Sequence, residues 1–313
     1  MAERPNPTSC EPPLVGFEAD KRKIMSALLD TSEPRFSVVH IVGPRGVGKT
    51  HLAKEIYTSP EVQKHFRVRI WVPASRACYG VEVEYLKNMR AQLSIEQEAD
   101  IARFLMGKRY CVVIDDQDWR SYSRRKAWNY ILGSELPKSY GSRVLVTCRP
   151  EYGRSRYPVS REFEVGPRSN EESLEILLKA AFPKYPWEGC PAGEVDDLVM
   201  KFVRKCKGLP WPLQFMGDLL SLHPWNEVLD RIQTIEAAGM NFVDLAMRYR
   251  DLSSHEMRAA FLYFLTFPED AEIHAKSFAL LLKSEGITRR SEQGEDILQL
   301  LAERSTSEMF SED

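Results

Sequence analysis

The chain has 313 residues, of which 43% are hydrophobic and 28% charged, and its formal net charge is −2. That length supports a substantial core and about two units at a soft prior of ~150 residues per domain, and the composition excludes wholesale disorder. A charge so near zero gives no electrostatic case for a nucleic-acid partner, and no apolar run approaches the roughly 20 residues that span a bilayer.

Residues 1–13 hold Pro5, Pro7, Pro12 and Pro13 among polar residues and are expected to be irregular. They lack the apolar segment of a secretory signal, so the expected location is cytoplasmic. Helical spacing follows over residues 23–29. The apolar run 36–42 reads as a buried strand, residues 51–57 as a helix, and between them stands Gly43-Pro44-Arg45-Gly46-Val47-Gly48-Lys49-Thr50. Gly43, Gly46 and Gly48 let the backbone turn tightly around Val47, so that amides and the positive end of the helix dipole point at one anion. Lys49 then reaches terminal phosphates and the Thr50 hydroxyl reaches Mg²⁺. A glycine-containing turn matches so short a pattern by chance, but here a strand and a helix flank it in the order the chemistry needs.

Residues 67–72 alternate polar and apolar, as a half-buried strand does. Residues 82–104 read as a helix-like region, with strong helix formers and no Gly or Pro. The β-branched run 110–114 suits the middle of a parallel sheet and ends in Asp115-Asp116. Behind a phosphate loop, such an acidic residue holds the Mg²⁺ shell and a second orients or deprotonates a water; the alternative is an Asp pair that starts a turn. Further strands are expected over 143–147 and 161–165, giving an α/β parallel sheet with its ligand at the carboxyl strand ends. Arg149 lies at such an end, where it either meets a γ-phosphate or is an exposed loop residue. Beyond Gly166-Pro167 the chain reads as helices over 171–182, 194–206, 211–222, 225–235, 254–265, 275–282 and 296–304, with Gly208-Leu209-Pro210 stopping one helix and starting the next.

Six cysteines, Cys10, Cys78, Cys111, Cys148, Cys190 and Cys206, form no C-x-x-C pair and are expected to be reduced and mostly structural. The histidines show no metal-ligand spacing, so a zinc site is not expected. Lys21-Arg22-Lys23 and Arg124-Arg125-Lys126 read as solvated faces.

Several stretches, in order, resemble the NB-ARC domain of plant nucleotide-binding, leucine-rich-repeat immune receptors. They are Val15-Gly16-Phe17-Glu18, the phosphate loop, His65-Phe66 with Ile70-Trp71-Val72-Pro73-Ala74-Ser75, and Lys108-Arg109-Tyr110 through Asp115-Asp116. Gly141-Ser142-Arg143-Val144-Leu145-Val146-Thr147-Cys148-Arg149, Lys205-Cys206-Lys207-Gly208-Leu209-Pro210 and Phe261-Leu262-Tyr263-Phe264-Leu265-Thr266-Phe267-Pro268-Glu269-Asp270 continue the series.

The resemblance implies an ATP/ADP switch, ADP-bound when off and ATP-bound when on, and at most a slow ATPase. Its α/β phosphate-loop subdomain would cover 14–165, a helical bundle 166–240 and a partial winged helix 241–313. Val15 would line the adenine pocket and Pro210 pack near the base. Gly48, Lys49 and Thr50 would hold phosphates, Asp115 the Mg²⁺, Asp116 the hydrolytic water, and Arg149 the γ-phosphate. Partners would be other receptor domains or proteins, with oligomerisation in the ATP state. Trp119 resembles the branch with N-terminal coiled-coil domains. Three features depart from the pattern: Gln117-Asp118 puts two residues before Trp119, Trp211-Pro212 replaces Leu-Ala, and no Met-His-Asp follows within the sequence. The rival readings are a working ATPase with real turnover and an interaction fragment in which nucleotide is structural.

Overall fold

Five strands form one parallel sheet in the computed structural model, which describes residues 14–32, 35–73, 80–96, 100–117, 121–150, 160–182, 197–237, 241–252, 254–264 and 274–307. They are β1 (Ser37–Val42), β2 (Val68–Val72), β3 (Tyr110–Gln117), β4 (Arg143–Cys148) and β5 (Ser160–Glu164), ordered β2-β3-β4-β1-β5. β1 and β4 are buried along their whole length, because helices cover both faces of the sheet and leave no side for polar alternation. The edge strand β2 is only partly buried, as its alternation requires.

The helices among these strands are α1 (Glu18–Leu29), α2 (Lys49–Thr58), α3 (Pro60–His65), α4 (Val81–Leu93), α5 (Ile101–Leu105) and α6 (Tyr122–Tyr130), the last continued by a π turn at Ile131–Glu135. On one face, Val38, Val112 and Val144 join Tyr85, Met89 and Trp128 in a single apolar cluster. On the other, α1 and α2 lie against the sheet. Leu52 and Ile56, four residues apart on α2, are 0% exposed, and burying each contributes about 1.5–3 kcal/mol. That anchoring fixes the first turn of α2, where Lys49 and Thr50 stand. At the sheet edge, Gln92 accepts from the Trp71 amide at 2.8 Å and donates to its carbonyl at 2.6 Å, which blocks further strand pairing there.

Contacts divide the chain into two units. Of the described residues, the one just described holds those within 14–172 and Gly208–Pro210; the other holds those within 173–207 and 211–307. Its described elements are all helical: the greater part of α7 (Asn170–Ala181), then α8 (Asp197–Lys205), α9 (Pro210–Leu222) from its second residue onward, α10 (Trp225–Ala237), α11 (Phe242–Arg250), α12 (His255–Phe264), α13 (Ala275–Ser284) and α14 (Ser291–Ser307). Phe215 of α9 gathers Phe242 and Tyr249 of α11 at ring-centroid distances of 5.5 and 4.7 Å. Gly294 lets α14 approach α13, since a Cβ there would lie 2.7 Å from Ala279 Cα.

The helix-like region 82–104 holds two helices, α4 and α5. α4 ends where Ser94 adopts a left-handed conformation (φ 54), and α5 starts anew behind Asp100, whose side chain accepts from the Arg103 amide. Asp is a preferred helix cap, and that local signal overrides the good propensities on either side. α3 and α11 were not expected; Ser59-Pro60 and Asn241 supply their starts, Ser59 accepting from Val62 N and Asn241 from Val243 N. Ala74, Ser75, Trp119 and the stretch Leu265-Thr266-Phe267-Pro268-Glu269-Asp270 lie outside the described residues, as do Cys10, Cys78 and Cys190. Cys111, Cys148 and Cys206 are buried.

Candidate functional site

β1 delivers the chain to the carboxyl edge of the sheet, where it turns at Gly43. A Cβ on Gly43 would lie 2.4 Å from the Val165 carbonyl oxygen, so no larger residue fits. The Gly43 amide donates to the Cys148 carbonyl at 3.3 Å, which puts the exit of β4 beside the first residue of the loop. The loop continues through Gly46 (φ 81) to Gly48 (φ 100), the left-handed N-cap of α2. Left-handed backbone costs other residues roughly 1–2 kcal/mol, and a Cβ on Gly48 would also meet Phe17 Cζ at 2.9 Å. Val47 is 0% exposed; its side chain anchors the loop in the core and leaves its backbone for any ligand.

α2 begins without a side-chain cap and without an acidic residue in its first turn. The first amides of a helix have no intrahelical acceptor and carry partial positive charge, so this N-terminus suits an anion. Lys49 is buried and folds back over the loop, its Nζ donating to the carbonyls of Gly43 at 2.8 Å and Pro44 at 2.9 Å.

Thr50 Oγ1 donates to Asp115 Oδ1 at 2.8 Å, and Thr147 Oγ1 donates to the same oxygen at 2.7 Å. A hydroxyl that has spent its one proton keeps its lone pairs. The Thr50 oxygen therefore remains an acceptor next to a carboxylate, the oxygen set that a hard cation such as Mg²⁺ takes. β3 reaches this position through a bulge: Ile114 pairs with Val146 and Gln117 with Cys148, so three steps on β3 oppose two on β4. Asp115 and Asp116 are the residues within it. Asp116 belongs to β3, but its side chain lies outside the described residues.

The structure thus brings together Gly43, Gly46, Gly48, Lys49, Thr50 and Asp115. Arg149, half-buried, directly follows β4, one residue from the carbonyl that receives the Gly43 amide. Val15 is 9% exposed in the segment ahead of α1, and Pro210 is the buried first residue of α9. His40 in β1 stays uncharged near neutral pH, because burial lowers its pKa to about 4. Sequence reasoning missed Thr147 and Phe17 as supports of the loop. Thr147 reaches Asp115 because β4 lies between β1 and β3, an order that no local pattern carries.

The family model of the NB-ARC domain matches residues 17–185, more than half of the chain. Disease resistance RPP13-like protein 4 of Arabidopsis thaliana is 27% identical over 95% of this chain and 37% of its own length. Disease resistance protein RPP13 of the same plant is 30% identical over 90% of this chain and 35% of its own length. The chain spans about a third of the length of these curated relatives. Among solved structures, a chain of Drosophila ORC bound to DNA aligns with a TM-score of 0.42 at 14% identity, over 94% of this chain and 75% of that one; so loose a likeness carries no argument. No helix among the described residues is long and apolar enough to cross a membrane.

Proposed function

The chain belongs to the NB-ARC domain family, and from that premise we propose that it is the nucleotide switch module of a plant disease-resistance receptor, off with ADP and on with ATP. The observation that carries this reading is the convergence of Thr50 and Thr147 on one Asp115 oxygen, beside a helix N-terminus built on Gly48. Gly43, Gly46, Val47 and Gly48 offer backbone amides to the phosphates. Lys49 gives up the Gly43 and Pro44 carbonyls for phosphate oxygens, trading neutral acceptors for charged ones, and bonds to charged groups are worth about 1.5–3 kcal/mol each. Thr50 and Asp115 hold Mg²⁺, which when bound neutralises phosphate charge. Asp116 orients a water for slow hydrolysis, Arg149 meets the γ-phosphate, and Val15 and Pro210 flank the base.

The three-part division into 14–165, 166–240 and 241–313, a cytoplasmic location, and partners among receptor domains or as an ATP-state oligomer belong to the same proposal. Natively purified protein tests it. Tightly held ADP with slow turnover supports a switch. Rapid multiple turnover would make the chain a working ATPase instead, and the absence of any nucleotide binding would leave a scaffold. Arg149 adds a finer test by calorimetry: Arg149→Ala weakens ATP about tenfold and spares ADP, as the loss of one charged bond predicts, whereas equal losses would make Arg149 structural.

A further inference from the structure

Arg168 lies between β5 and α7, and its side chain is 7% exposed. Its Nη1 donates to the Gly16 carbonyl at 2.6 Å; its Nη2 donates to the Gly166 carbonyl at 2.8 Å and to Asp20 Oδ2 at 3.4 Å. The guanidinium carbon stands 4.2 Å from the centroid of the Phe17 ring, the ring that packs on Gly48. The Arg168 amide donates to the Gly208 carbonyl at 2.8 Å, and a Cβ on Gly208 would come within 2.6 Å of the Arg168 carbonyl oxygen. Beside it, Glu172 Oε2 accepts from the Ser169 amide at 2.9 Å while Ser169 Oγ accepts from the Glu172 amide at 3.2 Å, a capping box that opens α7. A Cβ on Gly16 would run into the Glu172 carboxylate. One residue therefore joins three stretches far apart in sequence: the segment before α1, the exit of β5, and Gly208-Leu209-Pro210.

We infer that Arg168 is the positioning residue for the base side of the nucleotide site, holding Val15 and Pro210 in place relative to the phosphate loop. This rests on the reading of those two residues as base neighbours. The loop itself is fixed by β1 and α2. The stretch from Val15 to Phe17 and the pair Gly208-Leu209 belong to no helix or strand, so their placement depends on ties such as these. A planar guanidinium can serve two carbonyls and a carboxylate while its face rests on a ring; a lysine ammonium has no such plane. If removing the guanidinium leaves the competent arrangement populated about one tenth of the time, apparent affinity falls about tenfold.

The test is calorimetry of ADP and GDP on the full chain and on Arg168→Ala and Arg168→Lys. Wild type is expected to prefer ADP. Arg168→Ala should weaken ADP about tenfold and GDP less, so that the preference shrinks, and Arg168→Lys should recover only part of it. Equal weakening of both nucleotides, or a wild type with no base preference, would overturn the inference. Should Arg168→Ala fail to fold, hydrogen exchange on wild type decides: ADP should protect the amides of residues 15–17 and 208–209 together, and protection of one stretch alone would overturn it. A wild type that binds no ADP removes the nucleotide reading altogether, whereas an unchanged preference in Arg168→Ala removes only the role of Arg168.

Discussion

Asp115 in the sheet unit and Asp218 in the helical unit each accept hydrogen bonds from two side chains, and their surroundings send them to different ends. At Asp115 two threonine hydroxyls share Oδ1, and the carboxylate is half-buried at the carboxyl edge of the sheet. At Asp218, Gln214 donates to Oδ1 at 2.8 Å and Tyr249 to Oδ2 at 2.9 Å, with the residue 6% exposed. Burial raises the Asp218 pKa to about 6, against the opposing pull of those two bonds and of the Arg258 charge. Gln214 Oε1 is itself buried with no hydrogen-bond partner among the described residues. The comparison teaches that a count of hydrogen bonds does not identify a site. Position does: one aspartate lies in the bulge of β3 and is bonded by Thr50 in the first turn of α2, while the other fastens α9 to α11.

The largest effect that sharpens this contrast is one of pH. An acid whose pKa rises on folding binds more protons folded than unfolded between pH 3.8 and about 6. The stability it contributes is full below that window and is lost as pH rises through it. At about 1.4 kcal/mol per pKa unit, the loss is on the order of 3 kcal/mol. In denaturant melts at pH 4 and pH 7, Asp218→Asn should therefore lose less stability than wild type across that range. Identical pH profiles would mean that Asp218 is not held in the desolvated state described.

Next in size is Thr50→Ala, which should cost Mg-ATP affinity about a hundredfold, in line with losses at metal sites, and metal-free ADP much less. Titration with and without Mg²⁺ separates the two. Tyr249→Phe should do the reverse, lowering stability at pH 7 by about 2 kcal/mol because a buried carboxylate loses a donor, with ADP affinity untouched. A nucleotide phenotype there would break the division of labour between the two aspartates. The smallest effect belongs to Thr147→Val, which leaves Asp115 its Thr50 partner and should weaken Mg-ATP about fivefold, the equivalent of one ordinary hydrogen bond of ~1 kcal/mol.

Much of the sheet unit was legible because its signals are local. The run ahead of Gly43 is mostly apolar, the glycines sit where positive φ or close approach demands them, and the apolar run 110–114 of β3 is followed directly by two carboxylates. The partners that complete the site are not local. Thr147 reaches Asp115 because β4 separates β1 from β3 and because a bulge re-aims the end of β3. Arg168 reaches Gly16 across 152 positions of sequence, and nothing in its neighbourhood marks it. Elsewhere the signal was present and outweighed: helix propensity from residue 82 onward hid the left-handed stop at Ser94 and the cap at Asp100.

The most direct measurement is ATP and ADP binding by calorimetry to wild type and to Lys49→Ala. Lys49 stands in the first turn of α2, and each charged bond to phosphate is worth about 1.5–3 kcal/mol, ten- to a hundredfold in affinity. The account predicts tight binding by wild type and near-complete loss in the variant, with the fold intact; undiminished affinity in Lys49→Ala would contradict it.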